Sequence, residues 1–352
     1  MNEALLHKSF IGFWRLLKCL KDLTEGKTLQ KNEILYLSRK DVEEVGLDAG
    51  EVVKIVEEAF REKGLGRVEM PPKPGVHPGK DAMMHAMLAY IPKMKAVGIK
   101  WIAGFPENFK LGLPYISGLI ILNDPKTGFP ISVMDCTWIT AKRTGAATAV
   151  AAKYLAREDS KVFGVIGCGV QGRSNLEAIL TVFDIEEVRA YDINRAKLER
   201  YVEDMTGKYG VKVVPAESPR GAVEGCDIVV TATPIRKQPL AVIEASWFKD
   251  GGFACPLDFD TYWKPEAMYS MDKFCTDDKN QLIYYRSIGY FKEIPEVYAD
   301  LGEIVTGAKP GRENEKERIM SMNLGLAIED VATASVIYER AKRKGIGTWL
   351  PL

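Results

Sequence analysis

Near the middle of a 352-residue chain, the stretch Val165-Ile166-Gly167-Cys168-Gly169-Val170-Gln171-Gly172 spaces three glycines as G-x-G-x-x-G directly behind an apolar run. The spacing alone is weak, but its surroundings sharpen it. KVFGVIG reads as a buried strand, VQGRSNLEAILTVF as a helix and EVRAYD as a second strand ending on Asp192. In a strand–turn–helix of this kind the first glycine permits the tight turn. The second lets the backbone approach a pyrophosphate, and the third lets helix and strand pack closely. The helix start offers unpaired N–H groups and a partial positive charge to phosphate. Asp192 is placed to accept hydrogen bonds from an adenosine ribose, which favours NAD(H); Arg195 could reach a 2′-phosphate, so NADP(H) stays open. The expected cofactor contacts here are Gly167, Gly169, Val170, Gln171, Gly172 and Asp192. The alternative is a doubly wound domain that holds another nucleotide or none.

Beyond the loop, strands and helices keep alternating through RAKLERYVEDMTGKYG, VKVVP, SPRGAVEGC, DIVVTAT and GGFACPLD. That alternation implies an α/β chain with a parallel doubly wound sheet, continuing to about residue 320. The first 135 residues differ. ILYL, MMHAMLAYI, AVGIKWIAGF, GLPYISGLIILND and GFPISVMD read as strands, and DAGEVVKIVEEAFREKG as a capped helix, giving a strand-rich α+β unit. The Ala-rich ITAKRTGAATAVAAKYLA reads as a long helix joining the two, and the tail MSMNLGLAIEDVATASVIYERAKRKGIG as a helix returning to the first unit.

Composition narrows the function classes. Lys+Arg and Asp+Glu are both 48, so no basic excess points to nucleic acid. Six scattered cysteines without a C-x-x-C pair fit reduced thiols in a cytoplasmic protein, and three histidines argue against a metal centre. No apolar run approaches the ~20 residues that span a bilayer. In residues 1–33, Leu6, Phe10, Phe13, Leu17 and Leu20 recur at helical spacing between basic residues, an amphipathic extension. It is expected to pack on the protein or on a second subunit; surface attachment to a membrane is the alternative.

Three stretches, GIKWIAGFPEN, DPKTGFPISVMDCTWITAKRTGAATAVAAKYLA and VIGCGVQGRSNLEA, together resemble the ornithine cyclodeaminase/μ-crystallin family, which includes an archaeal type of alanine dehydrogenase and ketimine reductases. The resemblance runs from about Ile34 to the C-terminus. It implies a Rossmann domain, residues 146–321, inserted into a split substrate and dimerisation domain, residues 34–145 and 322–352, and hence a homodimer. By the resemblance, Lys100 is an active-site lysine, Arg143 clamps a substrate carboxylate, and Lys73 falls near a second carboxylate-binding position. Asp260, with Lys264 and Glu266 in register, matches the acid of the cyclodeaminases and alanine dehydrogenases, implying acid–base work; Asp258 is the alternative if the register slips. Thr233, Lys264 and Asn323 complete the implied cofactor contacts. His85 stands where ornithine cyclodeaminases carry a glutamate facing the distal amine, and is read as a substrate-site residue.

The implied chemistry is hydride transfer from Cα of an L-amino acid to the nicotinamide, giving an imine. Three outcomes diverge. Water attack gives a 2-oxo acid and ammonia; attack by the substrate's own amine gives a cyclodeaminase; reversal on a preformed imine gives a reductase. The cyclodeaminase-like enzyme is the leading expectation. A weakly catalytic, μ-crystallin-like nucleotide-binding protein is the alternative of another class.

Overall fold

The computed structural model describes residues 32–352 except Lys80 and Lys237. The amphipathic extension therefore lies almost wholly outside the described residues. The described chain opens with β1 (Glu33–Leu37), α1 (Arg39–Glu44) and α2 (Ala49–Gly64). There follow β2 (Gly75–Val76), β3 (Met83–Ile91), β4 (Ala96–Gly104), β5 (Ile116–Asn123) and β6 (Pro130–Asp135). Asp48 caps α2 as expected, exchanging bonds with Glu51 in a capping box. The helix α3 (Thr137–Leu155) then leads to β7 (Val162–Ile166), α4 (Val170–Ile179), β8 (Glu187–Tyr191), α5 (Arg195–Tyr209), β9 (Lys212–Pro215), β10 (Ile228–Thr231) and β11 (Phe253–Pro256). The remainder is α6 (Pro265–Tyr269), β12 (Lys273–Thr276), α7 (Lys279–Ser287), β13 (Ala299–Asp300), α8 (Leu301–Thr306), β14 (Ile319–Met322), α9 (Ala327–Lys344) and β15 (Thr348–Pro351).

Two sheets result. The first runs β15-β1-β6-β5-β4-β3-β2, antiparallel except for β1 beside β6. The second, β13-β12-β14-β11-β10-β7-β8-β9, is parallel throughout. Its central strands are buried at every position of β10, β11, β12 and β14, because helices cover both faces. This explains the one misread element of the tail: residues 319–322 do not extend the helix but form β14, wedged between β11 and β12. The sheet reverses its strand order between β7 and β10, which lie side by side with Ile166 opposite Thr231. Such a switch point opens a crevice at the carboxyl ends of the strands.

Helix α3 crosses from one sheet to the other, so the division expected at 145/146 falls inside it. It packs on α4 at very short range: a Cβ on Gly145 would lie 2.3 Å from the Ser174 carbonyl oxygen. This contact ties α3 to the helix that follows the glycine loop. Helix α9 packs on α2, α3, β3 and β4, returning the chain's end to the first sheet. The opposite face of that sheet carries exposed Tyr36, Leu88, Trp101 and Leu119. Cross-strand pairing joins Trp101 to Leu119 in one row, and Tyr36, Val133, Ile121, Ile99 and Leu88 in another.

Candidate active site

The glycine turn follows β7 as its sequence demands. Gly167 adopts φ +100, and a Cβ there would meet the Ala232 carbonyl oxygen at 2.6 Å. A Cβ on Gly172 would lie 2.1 Å from the Gly167 oxygen, so only glycine lets α4 sit this close to the turn. Gly169 is different. It stands at the N-cap of α4 in an extended conformation, and its Cβ position has no protein atom within 4 Å. The space in front of the helix start is open, as a backbone cradle for a pyrophosphate requires. Asp192 reaches the turn from the end of β8: its carboxylate accepts from the Cys168 N–H at 2.9 Å and the Asn194 N–H at 2.8 Å. A carboxylate retains further lone pairs for a ribose. Arg195 pairs with Glu199 and Glu217, each at 3.0 Å, on the exposed surface.

Beside the turn lies a cavity of about 350 Å³. Gln171, Thr233 and Asn323 line it from the parallel sheet; Lys73, His85 and Arg143 line it from the other side. Asn323 is buried, its Oδ1 accepts from the Ser321 hydroxyl at 2.8 Å, and its Nδ2 has no partner. A buried donor with nothing to bond is costly unless a ligand completes it. The open cradle at Gly169 and this orphaned amide together fit a dinucleotide whose nicotinamide end enters the cavity.

The cations sit in a buried network. Arg143 donates from Nη1 to Glu329 at 2.7 Å and from Nε to Asp330 at 3.0 Å. Burial opposes its charge, but Asp330 and Glu329 outweigh that and hold it firmly protonated. Lys100 is fully buried, 2.6 Å from Asp330 and 3.4 Å from the Thr140 hydroxyl. Lys73 donates to the carbonyls of Leu324 at 2.5 Å and Gly325 at 2.9 Å. Burial, with Arg143 and Lys100 nearby, brings its ammonium down to about 7 despite Asp277. Burial likewise raises Glu329 to about 7 and Asp277 to about 6. His85 is pushed down to about 3 by burial and by Lys73, His77 and Lys100, so its ring is neutral.

Four of the residues singled out by sequence are placed otherwise. Asp260 does not line the cavity. Phe259, at φ +61, turns the chain so that its own ring faces inward, and the Asp260 carboxylate accepts from the Phe291 backbone instead. Burial raises the Asp260 carboxyl. Asp258 is wholly buried, accepting from the hydroxyls of Thr231 at 2.6 Å and Thr233 at 2.5 Å, which braces the cavity-lining loop after β10. Lys264 pairs with Glu244 at 2.8 Å, away from the cavity. Lys100 lies beneath Arg143 rather than on the cavity wall, because its ammonium is drawn to Asp330. Glu329, Asp330 and Asp277 were not foreseen, although two adjacent acids inside the apolar run AIEDVA mark a buried charge in need of partners.

The profile of the ornithine cyclodeaminase/mu-crystallin family matches residues 32–345. An alanine dehydrogenase of Archaeoglobus fulgidus is 39% identical over 325 residues, covering 90% of this chain and 98% of the relative. The solved Δ1-pyrroline-2-carboxylate reductase of Thermococcus litoralis, in complex with NADH and L-proline, superposes with a TM-score of 0.82 at 37% identity, covering 90% and 99% of the two chains. An archaeal alanine dehydrogenase dimer with bound NAD superposes at 0.81 and 36% identity, with the same coverage.

Proposed function

Because the chain belongs to the ornithine cyclodeaminase/mu-crystallin family and is an enzyme of it, we propose that it is an NAD(H)-dependent oxidoreductase of the C–N bond in an α-amino acid or its imine. The observation that carries this reading is one shared cavity: residues that follow the cofactor strands and cations suited to a carboxylate line the same space. NAD(H), when bound on the glycine turn with its nicotinamide end towards Asn323, would supply hydride-transfer chemistry at the substrate's Cα. The chain's own groups hold the substrate and move the proton. Glu329 and Asp330 occupy Nη1 and Nε of Arg143, which fixes the guanidinium and leaves Nη2 for a substrate carboxylate. Lys73, near its titration point at neutral pH, exchanges a proton with the substrate nitrogen. Its two carbonyl acceptors suit both states, since a neutral amine keeps two N–H donors and frees a lone pair. Lys73 thus takes the acid–base role that sequence assigned to Asp260. Lys100 acts through Asp330, as a positioning residue. Asp192, at the end of β8 beside the glycine turn, favours NAD(H) over NADP(H), because its carboxylate would repel a 2′-phosphate.

The cyclodeaminase branch needs a partner for a distal ammonium. The neutral His85 carries no negative charge to pair with one, which favours net oxidation or reduction over cyclisation. The apolar rows on the outer face of the first sheet suit a homodimer, and the related archaeal enzyme is a dimer. The test is absorbance at the reduced-nicotinamide band, with ammonia measured in parallel, for L-amino acids with NAD⁺ and for cyclic imine carboxylates with NADH. Absorbance change supports the proposal. Ammonia without it would identify a cyclodeaminase, and neither would reject both.

A further inference from the structure

Past Arg143 the cavity ends in a wall of rings. Phe259 lies 5.1 Å from Tyr285 and 5.6 Å from Tyr290, and the two tyrosines are 5.5 Å apart, all edge to face. Phe291 backs Phe259 at 4.8 Å. The three front rings line the cavity; Met83, Met87 and Ile116 face it from the first sheet. His85 closes the same end, 6.2 Å from Tyr285 and 6.3 Å from His77. A left-handed backbone at a non-glycine residue is strained and persists only where its surroundings enforce it. Phe259 holds such a backbone, and its ring, not the Asp260 carboxylate, lines the cavity.

This end suits hydrocarbon, and Lys73, whose ammonium already lies over the Tyr285 ring at 5.3 Å, opposes a second positive charge there together with Arg143. Lys73 and Arg143 are the cavity's charged wall, and the only acid lining it, among the described residues, is Asp81, which is exposed to solvent at the rim. A solvated carboxylate contributes little to binding a cation. We propose that the site selects α-amino and α-imino acids with a bulky, uncharged hydrocarbon side chain, branched or cyclic, over both a methyl and a basic side chain, with Phe259, Tyr290 and His85 setting that choice. This rests on the reading that Arg143 holds the substrate carboxylate. Each buried methylene favours binding about fourfold, so three further carbons are worth about 60-fold.

The test uses the NADH-loaded protein and unreactive acids, read by quenching of bound-NADH fluorescence: propanoate, 4-methylpentanoate, 3-phenylpropanoate and 5-aminopentanoate. The expected result is 4-methylpentanoate and 3-phenylpropanoate binding at least tenfold tighter than propanoate, with 5-aminopentanoate no tighter than propanoate. Phe259→Ala is expected to shrink the gap to under threefold. His85→Glu is expected to raise 5-aminopentanoate relative to 4-methylpentanoate. Propanoate or 5-aminopentanoate binding as tightly as 4-methylpentanoate overturns the selectivity while leaving the carboxylate site intact. Failure of all four acids to bind while NADH does rejects the carboxylate site itself, and the selectivity with it. In turnover, kcat/KM should rank L-leucine above L-alanine and L-ornithine; the reverse order counts against the proposal.

Discussion

Replacing Gly169 by alanine separates the fold from the cofactor at one atom. The new methyl meets no protein atom within 4 Å, and φ −79 is accessible to alanine, so stability should stay within about 0.5 kcal/mol of the parent. The methyl does enter the open space before α4, where a pyrophosphate must approach the backbone. Loss of one charge-assisted N–H bond to phosphate costs about 1.5–3 kcal/mol, equal to a roughly 10- to 150-fold weaker NADH affinity. Gly172→Ala is the contrasting change. Its methyl would overlap the Gly167 oxygen at 2.1 Å, so the helix must move, and overpacking of this kind costs about 1–3 kcal/mol of stability. Fluorescence titration with NADH and urea unfolding of both variants read the two effects separately. If Gly169→Ala binds NADH within twofold of the parent at unchanged stability, the cofactor does not use this turn as argued.

Other consequences follow from the buried charges. Arg143→Lys keeps the charge but cannot hold Glu329, Asp330 and a substrate carboxylate together, so KM for the carboxylate substrate should rise about 10- to 150-fold with NADH affinity unchanged. Lys100→Met removes one of the two cationic partners of Asp330, leaving Arg143, and should cost up to about 3 kcal/mol in denaturant unfolding; adding Asp330→Asn should recover part of that loss. As pH rises through about 7, Lys73 loses its positive charge and Glu329 gains a negative one. Carboxylate affinity must then fall, while a neutral Lys73 becomes a better base for amine oxidation. Steady-state kinetics should therefore show KM and kcat both rising above pH 7, with Glu329→Gln weakening the rise in KM.

Sequence reasoning reaches those features whose physics is local. Gly172 is dictated by a contact within the turn itself, Gly167 by the positive φ the turn requires, and Asp192 by its place at the end of the next strand. Lys73, His85 and Arg143 reach the cavity because the family resemblance aligned them on elements that the fold does bring together. What escapes is set by distant partners or by one dihedral angle. Lys100 points down rather than out because Asp330, 230 positions later in the chain, receives it. Among residues 258–260 only the left-handed turn at Phe259 decides which side chain faces inward, and phenylalanine carries no compositional mark of such a turn. β15 escapes as well, because it is only four residues long and becomes a strand by pairing with β1 at the opposite end of the chain.

The most direct test is a structure of the protein with NADH and 4-methylpentanoate bound. The account predicts the pyrophosphate against the Gly169 backbone and the carboxylate within about 3 Å of the Arg143 guanidinium. It also predicts the hydrocarbon chain lying against Phe259 and Tyr290. A carboxylate seated instead beside Asp260 and Lys264, with Arg143 still committed only to Glu329 and Asp330, would contradict it.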